Sequence, residues 1–355
     1  MSRFEKIAAR LGDYGLDAMM ITSAPNRFYV TGFASSAGMA IVTTAGSYFF
    51  TDSRYIEAAS RGVNGCQLVE STREKPMTTL AEEVIVRHGI KRMGFEEFTT
   101  TVQVYNDWKE KLSCELVPAS SLVVSLRGVK EEGEIASMIG AQRIAEKAFT
   151  EVLNFIRVGR TEKEIAAFLQ YQMLLGGAEK MSFEPIVVSG ANSSMPHGVP
   201  TEKQLAEGDF VTLDFGCVYQ GYSSDMTRTV AMGSVTEEMD KVYHTVLEAQ
   251  LAGIAAVKAG VTGKSVHQAA ADVISKAGYG AYFGHGFGHS LGIDLNEAMG
   301  ASLSYDKPLP AGAVISAEPG IYLPGRFGVR IEDMVIIKED GCEDITLAPK
   351  ELLIL

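Results

Sequence analysis

Cysteine is scarce and solitary in this chain. Cys66, Cys114, Cys217 and Cys342 stand singly, so the sequence encodes neither a CxxC zinc or redox motif nor a disulfide framework. No stretch reaches the roughly 18 unbroken apolar residues of a membrane span. The opening Met1-Ser2-Arg3-Phe4-Glu5-Lys6 places charges where a signal peptide needs its apolar run. Basic residues are in deficit, 32 Lys+Arg against 44 Asp+Glu, giving a net charge of -12. That balance repels polyanions and argues against nucleic acid or an acidic membrane surface as partner. It favours a cation. The single tryptophan, Trp108, falls in a predicted helix and reads as packing. What is present is 46% hydrophobic and 21% charged residues over 355 positions, the composition of a folded two-domain protein. A reduced, cytoplasmic α/β protein is expected.

The first third alternates helix and strand patterns. An amphipathic opening (Phe4, Ile7, Leu11) leads through Gly12 and Gly15 to the apolar run Ala18–Ile21. Strand-like runs follow at Phe28–Val30, Gly38–Val42 and Tyr48–Phe50, the last two joined by a turn at Ala45-Gly46. Helical patterns around Ile56–Arg61 and Leu80–His88 complete an α/β domain. The charged, Gly-punctuated stretch from Arg127 to Glu134 marks the junction, giving domains 1–126 and 127–355.

The second domain repeats itself. A predicted helix from about Ile135 to Ile156 leads to Gly159-Arg160-Thr161, and one from about Thr236 to Val257 leads to Gly260-Val261-Thr262. Each Thr can cap the helix that follows, and Thr161-Glu162-Lys163-Glu164 is a capping box. Further on, the run from Glu207 to Gly216 resembles that from Ala311 to Gly320. Each half therefore reads as two helices and a β-hairpin, an α+β design with pseudo-two-fold symmetry.

Carboxylates recur at matching places in the two hairpins. With the first turn centred on Tyr219-Gln220, Asp214 and Asp225 face each other across the ladder. A turn around Gly325 opposes Glu318 and Glu332 in the same way. Carboxylates amid apolar strands are costly unless protonated or neutralised. Four sharing one site imply a pair of divalent ions. Nearby sequence offers imidazoles. His285 and His289 lie in the glycine-rich loop Gly284–Gly292, whose glycines oppose the helix that an HExxH site requires. His197 lies in a Pro-flanked loop ahead of the first hairpin. Taken alone, each of these loops suits an ordinary surface segment better than a ligand site.

Together the motifs match a family. Pro196-His197 with Pro200-Thr201, Asp214-Phe215-Gly216 spaced before Ser224-Asp225-Met226-Thr227-Arg228-Thr229, the Gly284–Gly292 loop, Glu318-Pro319-Gly320-Ile321-Tyr322 and Val329-Arg330-Ile331-Glu332-Asp333 resemble the creatinase/methionine-aminopeptidase superfamily, peptidase family M24, of pita-bread fold. The Xaa-Pro dipeptidases (prolidases) and Xaa-Pro aminopeptidases are nearest. Asn26–Phe33 and Thr51–Tyr55 look like that family's N-terminal domain, so the resemblance spans nearly the whole chain.

The resemblance implies a dinuclear centre held by Asp214, Asp225, His289, Glu318 and Glu332, with Asp225 and Glu332 bridging. It implies Glu318 and His197 as catalytic residues, and His197, His285, Asn296 and Arg330 as substrate-binding residues. Mixed carboxylate and imidazole ligands suit Mn²⁺, Co²⁺ or Zn²⁺, and the family favours Mn²⁺. The implied reaction is hydrolysis before proline in dipeptides or short peptides, by a homodimer. One departure stands out. Relatives carry His-Glu-x-Pro after the glycine loop, whereas this chain has Asn296-Glu297-Ala298-Met299. Asn keeps hydrogen bonding but cannot ionise near neutrality. Another amide-like substrate on the same fold, or a weakly active peptidase-like binding protein, are the alternatives.

Overall fold

A computed structural model describes residues 1–355, which divide into two compact units, Met1–Arg127 and Gly128–Leu355. The first unit is a six-stranded sheet flanked by helices. Its helices are α1 (Arg3–Arg10), α2 (Ala24–Thr31), α3 (Ile56–Gly62), α4 (Met77–His88), α5 (Val102–Lys111) and α6 (Ser120–Gly128). Its strands are β1 (Ala18–Ile21), β2 (Met39–Thr43), β3 (Ser47–Asp52), β4 (Gln67–Ser71), β5 (Arg92–Phe95) and β6 (Glu115–Pro118), in the order β4-β3-β2-β1-β5-β6. Phe28–Val30, expected as a strand, lies in α2. Pro25 starts that helix and Gly32 ends it in the left-handed conformation, so the helix signals outweigh three strand-prone residues. Trp108 packs on α5 with 6% exposure.

The second unit opens with α7 (Glu132–Phe155) and α8 (Glu162–Leu175). Strands β7 (Lys180–Met181), β8 (Ile186–Ser189), β9 (Phe210–Phe215), β10 (Cys217–Tyr219), β11 (Tyr222–Ser223) and β12 (Met226–Ala231) follow. The second half repeats the plan with α9 (Glu237–Ala256), α10 (Gly263–Lys276), β13 (Gly288–His289), β14 (Gly300–Ala301), β15 (Val314–Ala317), β16 (Gly320–Leu323), β17 (Phe327–Arg330), β18 (Asp333–Lys338) and β19 (Gly341–Asp344). Thr161 and Thr262 cap α8 and α10 through their hydroxyls. Each half packs its helices on its own hairpin. Phe149, Ile165 and Leu169 cover Val211, Leu213 and Val230, while Val246, Val266 and Ile274 belong with Ile315, Val329 and Val335.

The first hairpin differs from expectation in register. Its turn is Gln220-Gly221, both at positive φ (49° and 77°), one residue beyond the expected centre. Opposed residues therefore sum to 441, and Asp214 faces Thr227 instead of Asp225. Asp225 falls in the gap between β11 and β12. There the chain crosses closely over Gly216, where a Cβ would sit 1.9 Å from the Ser224 carbonyl oxygen. The second hairpin keeps the expected register, since Gly320 pairs Arg330 and Ala317 pairs Asp333. Glu318 and Glu332 occupy the same register between the two ladders, where the strands part and pair elsewhere. The Glu318 N–H donates to the Phe287 carbonyl (2.7 Å) and the Glu332 N–H to the Thr227 carbonyl (3.1 Å).

Candidate metal centre

Both hairpins deliver their acids to one cavity of about 650 Å³, lined by Asp214, Asp225, His289, Glu318 and Glu332 together with His197, His285, Asn296 and Arg330. The ligand atoms of Asp225, His289 and Glu332 all lie within 4.8 Å of one another. His289 Nε2 stands 3.5 Å from Asp225 Oδ2 and 3.4 Å from Glu318 Oε1. Ser316 ties this corner together, its hydroxyl donating to Glu318 Oε1 (3.0 Å) while accepting from the His289 N–H.

The electrostatics of the cluster call for a cation. Burial, then the neighbouring Asp214 and Glu318, push the Asp225 carboxyl well above its ordinary value. Burial, then Asp225, Glu318 and Asp214, do the same to Glu332. Asp214 Oδ1, Asp225 Oδ1 and Glu332 Oε1 are buried without a hydrogen-bond partner. Buried acceptors of this kind are expensive to leave unmatched. Their convergence with an imidazole nitrogen fits divalent ions.

Arg330 is a cation already in place. Its Nη2 forms an ion pair with Asp214, its Nε donates to Thr227 Oγ1 (3.1 Å), and its Nη1 donates to Tyr322 OH (2.8 Å) and the Pro196 carbonyl (3.2 Å). Burial alone would lower its pKa, but Tyr322, Asp214, Glu318 and Glu332 outweigh that and keep it protonated. Arg330 can only donate, so Tyr322 OH accepts from it and can give its own proton to His285 Nε2 (3.0 Å). His285 Nδ1–H then donates to the Gly286 carbonyl (2.8 Å). Burial holds the His285 pKa down to about 4, so the ring is neutral. Both its nitrogens are engaged within the protein, and it buttresses Tyr322.

His197 and Asn296 are exposed side chains on the cavity wall. Behind Asn296, Glu297 forms an ion pair with Lys130 at 2.9 Å, with side chains only 4% and 1% exposed. Met299 donates its backbone N–H to Ser290 Oγ (3.0 Å), a bond proline could not make. Tyr322, Thr227 and Ser316 received no role from the sequence. Hydroxyls within strands carry no signal until the register places them beside charged groups.

Comparison with known proteins settles the family. Residues 136–339 match metallopeptidase family M24, and residues 3–129 match the creatinase/prolidase N-terminal domain. The chain belongs to metallopeptidase family M24. It is 34% identical over 353 residues to the Xaa-Pro dipeptidase of Pyrococcus horikoshii, covering 99% of this chain and 98% of the relative. A structure of the Xaa-Pro dipeptidase from Bacillus anthracis superposes with a TM-score of 0.96 at 40% identity, over 99% of each chain. That of the X-Pro aminopeptidase from Thermotoga maritima gives 0.93 at 35% identity over the full length of both. This M24 enzyme is thus a metallopeptidase with a creatinase-type N-terminal domain and a pita-bread second domain. No helix is long and apolar enough to cross a membrane.

Proposed function

We propose that the enzyme hydrolyses the bond preceding proline in dipeptides or short peptides, using two divalent ions held by Asp214, Asp225, His289, Glu318 and Glu332. The observation that carries the reading is the set of unpartnered buried carboxylate oxygens converging with His289 on one cavity. The relatives named as Xaa-Pro peptidases supply the substrate class. When bound, such ions would acidify the attacking water and polarise the scissile carbonyl.

The remaining work falls to side chains. The amide before proline leaves as a secondary amine, whose nitrogen must gain a proton as the bond breaks. Glu318 takes the proton from the attacking water on a carboxylate oxygen and returns it to that nitrogen. Burial raises the Glu318 carboxyl above its ordinary value, though His289 and Arg330 pull against it, which strengthens it as a base. His197 lies on the wall where it can donate to the carbonyl oxygen as negative charge develops. Arg330 fixes Asp214 and, through Tyr322, His285. It serves the ligands more directly than the substrate.

Asn296 favours a second reading, hydrolysis of another small amide, because it removes an ionisable group from the wall. Mn²⁺ is the proposed ion, the homodimer the proposed assembly, and four free cysteines suit a reducing cytoplasm. A metal count on purified protein, followed by Ala-Pro, Met-Pro and one longer proline peptide, tests the scheme. Bound metal with cleavage of a proline peptide supports it. Metal without cleavage moves the second reading ahead.

A further inference from the structure

Glu162 is the first residue of α8, beside the cap Thr161, where a carboxylate is usually solvated. Here it is wholly buried, at 0% exposure. Its Oε1 accepts from the N–H (2.7 Å) and hydroxyl (2.8 Å) of Ser189. Its Oε2 accepts from the N–H (2.9 Å) and hydroxyl (2.6 Å) of Thr201. Asn192 Nδ2 reaches both oxygens, at 3.1 and 3.3 Å. Ser189 and Thr201 are the two ends of the segment that carries His197.

The middle of that segment is fixed from the other half. The Gly328 N–H donates to Ser193 Oγ (2.9 Å), the Gly325 N–H to Ser194 Oγ (3.2 Å), and Arg330 Nη1 to the Pro196 carbonyl (3.2 Å). The exposed His197 ring depends on this backbone for its placement. Helix capping does not account for Glu162, because Thr161 and Glu164 complete the capping box without it. The repeat makes the same point. Thr161 bridges Gln204 as Thr262 bridges Pro308, yet the residue after Thr262 is Gly263. A Cβ there would lie 2.0 Å from the Gly300 carbonyl oxygen. In the second half a wall segment presses directly on the helix start. In the first half a buried carboxylate spans the gap.

We propose that Glu162 is a positioning residue that closes both ends of the 189–201 segment and so sets His197 against the scissile carbonyl. This rests on the role given above to His197. Glu162→Gln preserves size but replaces one oxygen with an NH₂ that cannot accept, so either Ser189 or Thr201 is released. The expected loss in kcat/KM on Ala-Pro is about 10–100-fold, the scale of a misplaced catalytic group, with metal content unchanged. The deciding measurement is a double-mutant cycle with His197→Ala. Once His197 is gone, Glu162→Gln should cost less than about threefold. An undiminished loss in that background overturns the proposal and leaves His197 standing. His197→Ala as active as the parent overturns the role of His197 itself, and the proposal with it. Should Glu162→Gln fail to fold, Thr201→Val removes one donor and keeps the carboxylate. Its smaller loss should also vanish without His197, and an equal loss in both backgrounds is the contrary result.

Discussion

The two halves of the second unit share one plan and divide the chemistry unequally. The first gives Asp214, Asp225 and the His197 segment, and the second gives His289, Glu318, Glu332 and Arg330. In the second half the acids share a register position between two ladders that part around them. In the first, a turn of two left-handed residues and the crossing at Gly216 place them diagonally. Symmetry of sequence thus yields a common site without symmetry of pairing. Three of the four acids, Asp225, Glu318 and Glu332, sit at breaks between paired strands, whereas Asp214 reaches the cavity from within β9, still paired with Thr227 and Ile186.

Both halves should be needed to hold metal. Asp225→Asn and Glu332→Gln each remove one charge, one from either half. Losing a group that merely supports a ligand costs about 10–100-fold in affinity or activity, so loss of a ligand itself should exceed that in both variants. Metal content by elemental analysis and kcat/KM on a proline dipeptide are the readouts. Normal metal and rate in either variant would assign the centre to the other half.

A second test strikes the packing difference. Gly263→Ala drives a Cβ into the Gly300 carbonyl and must displace the wall that follows Asn296. Overpacking of this kind costs about 1–3 kcal/mol. Thermal unfolding should show it, and because Gly300 pairs with His289 across the β13–β14 ladder, binding of metal should weaken as well. An unchanged Tm would mean that the wall yields freely.

Much of this was legible in the sequence. The two Thr caps, both hairpins, the four hairpin acids Asp214, Asp225, Glu318 and Glu332 and the second register follow from residue order, because caps, turns and apolar strands act locally. The first register was misplaced because the turn was centred one residue early, on Tyr219-Gln220, whereas Gly221 marks Gln220-Gly221 as the pair able to take positive φ, and one step of the turn moves the pairing by two. Glu162 was legible only as part of a capping box, since its five donors come from residues 27 to 39 positions away. The sole hint was its mismatch with Gly263 in the repeat. Tyr322 was visible only as the end of the Glu318-Pro319-Gly320-Ile321-Tyr322 motif, with no role attached. Its importance arises where β16 and β17 set it between Arg330 and His285.

Asn296 tests whether the second half's wall limits the reaction. A protonated imidazole there would add both a hydrogen bond and positive charge beside a developing oxyanion, whereas the amide supplies only the hydrogen bond. Full loss of such a donor costs about 2.7–4 kcal/mol, so a partial loss predicts a gain of about tenfold for Asn296→His. The measurement is kcat/KM at saturating metal on one proline dipeptide and one longer proline peptide. A histidine variant no faster on either substrate would favour the other-amide reading.

The smallest expected effect asks which half bears the repulsion when metal is withheld. Asp225 and Glu332 both have carboxyl pKa values raised by burial first and by the neighbouring acids next. Above the ordinary carboxylate range the unfolded chain therefore binds fewer protons than the folded one at these positions. Stability from these groups is present in acid and lost as pH rises toward the raised folded values. Other groups titrate too, among them Glu162 and Asp333, whose lowered values work in the opposite sense. The difference between variant and parent isolates the pair. In chelator, the Tm of Asp225→Asn relative to the parent should climb as pH goes from about 4 to about 7, and Glu332→Gln should do likewise. With metal present the sign reverses, because the parent gains the ions' binding energy and the variants lose it. Equal slopes for the two variants would mean that the halves share the strain. A rise in only one would locate it there, and flat differences in both would show that metal-free protein relaxes the cluster into solvent.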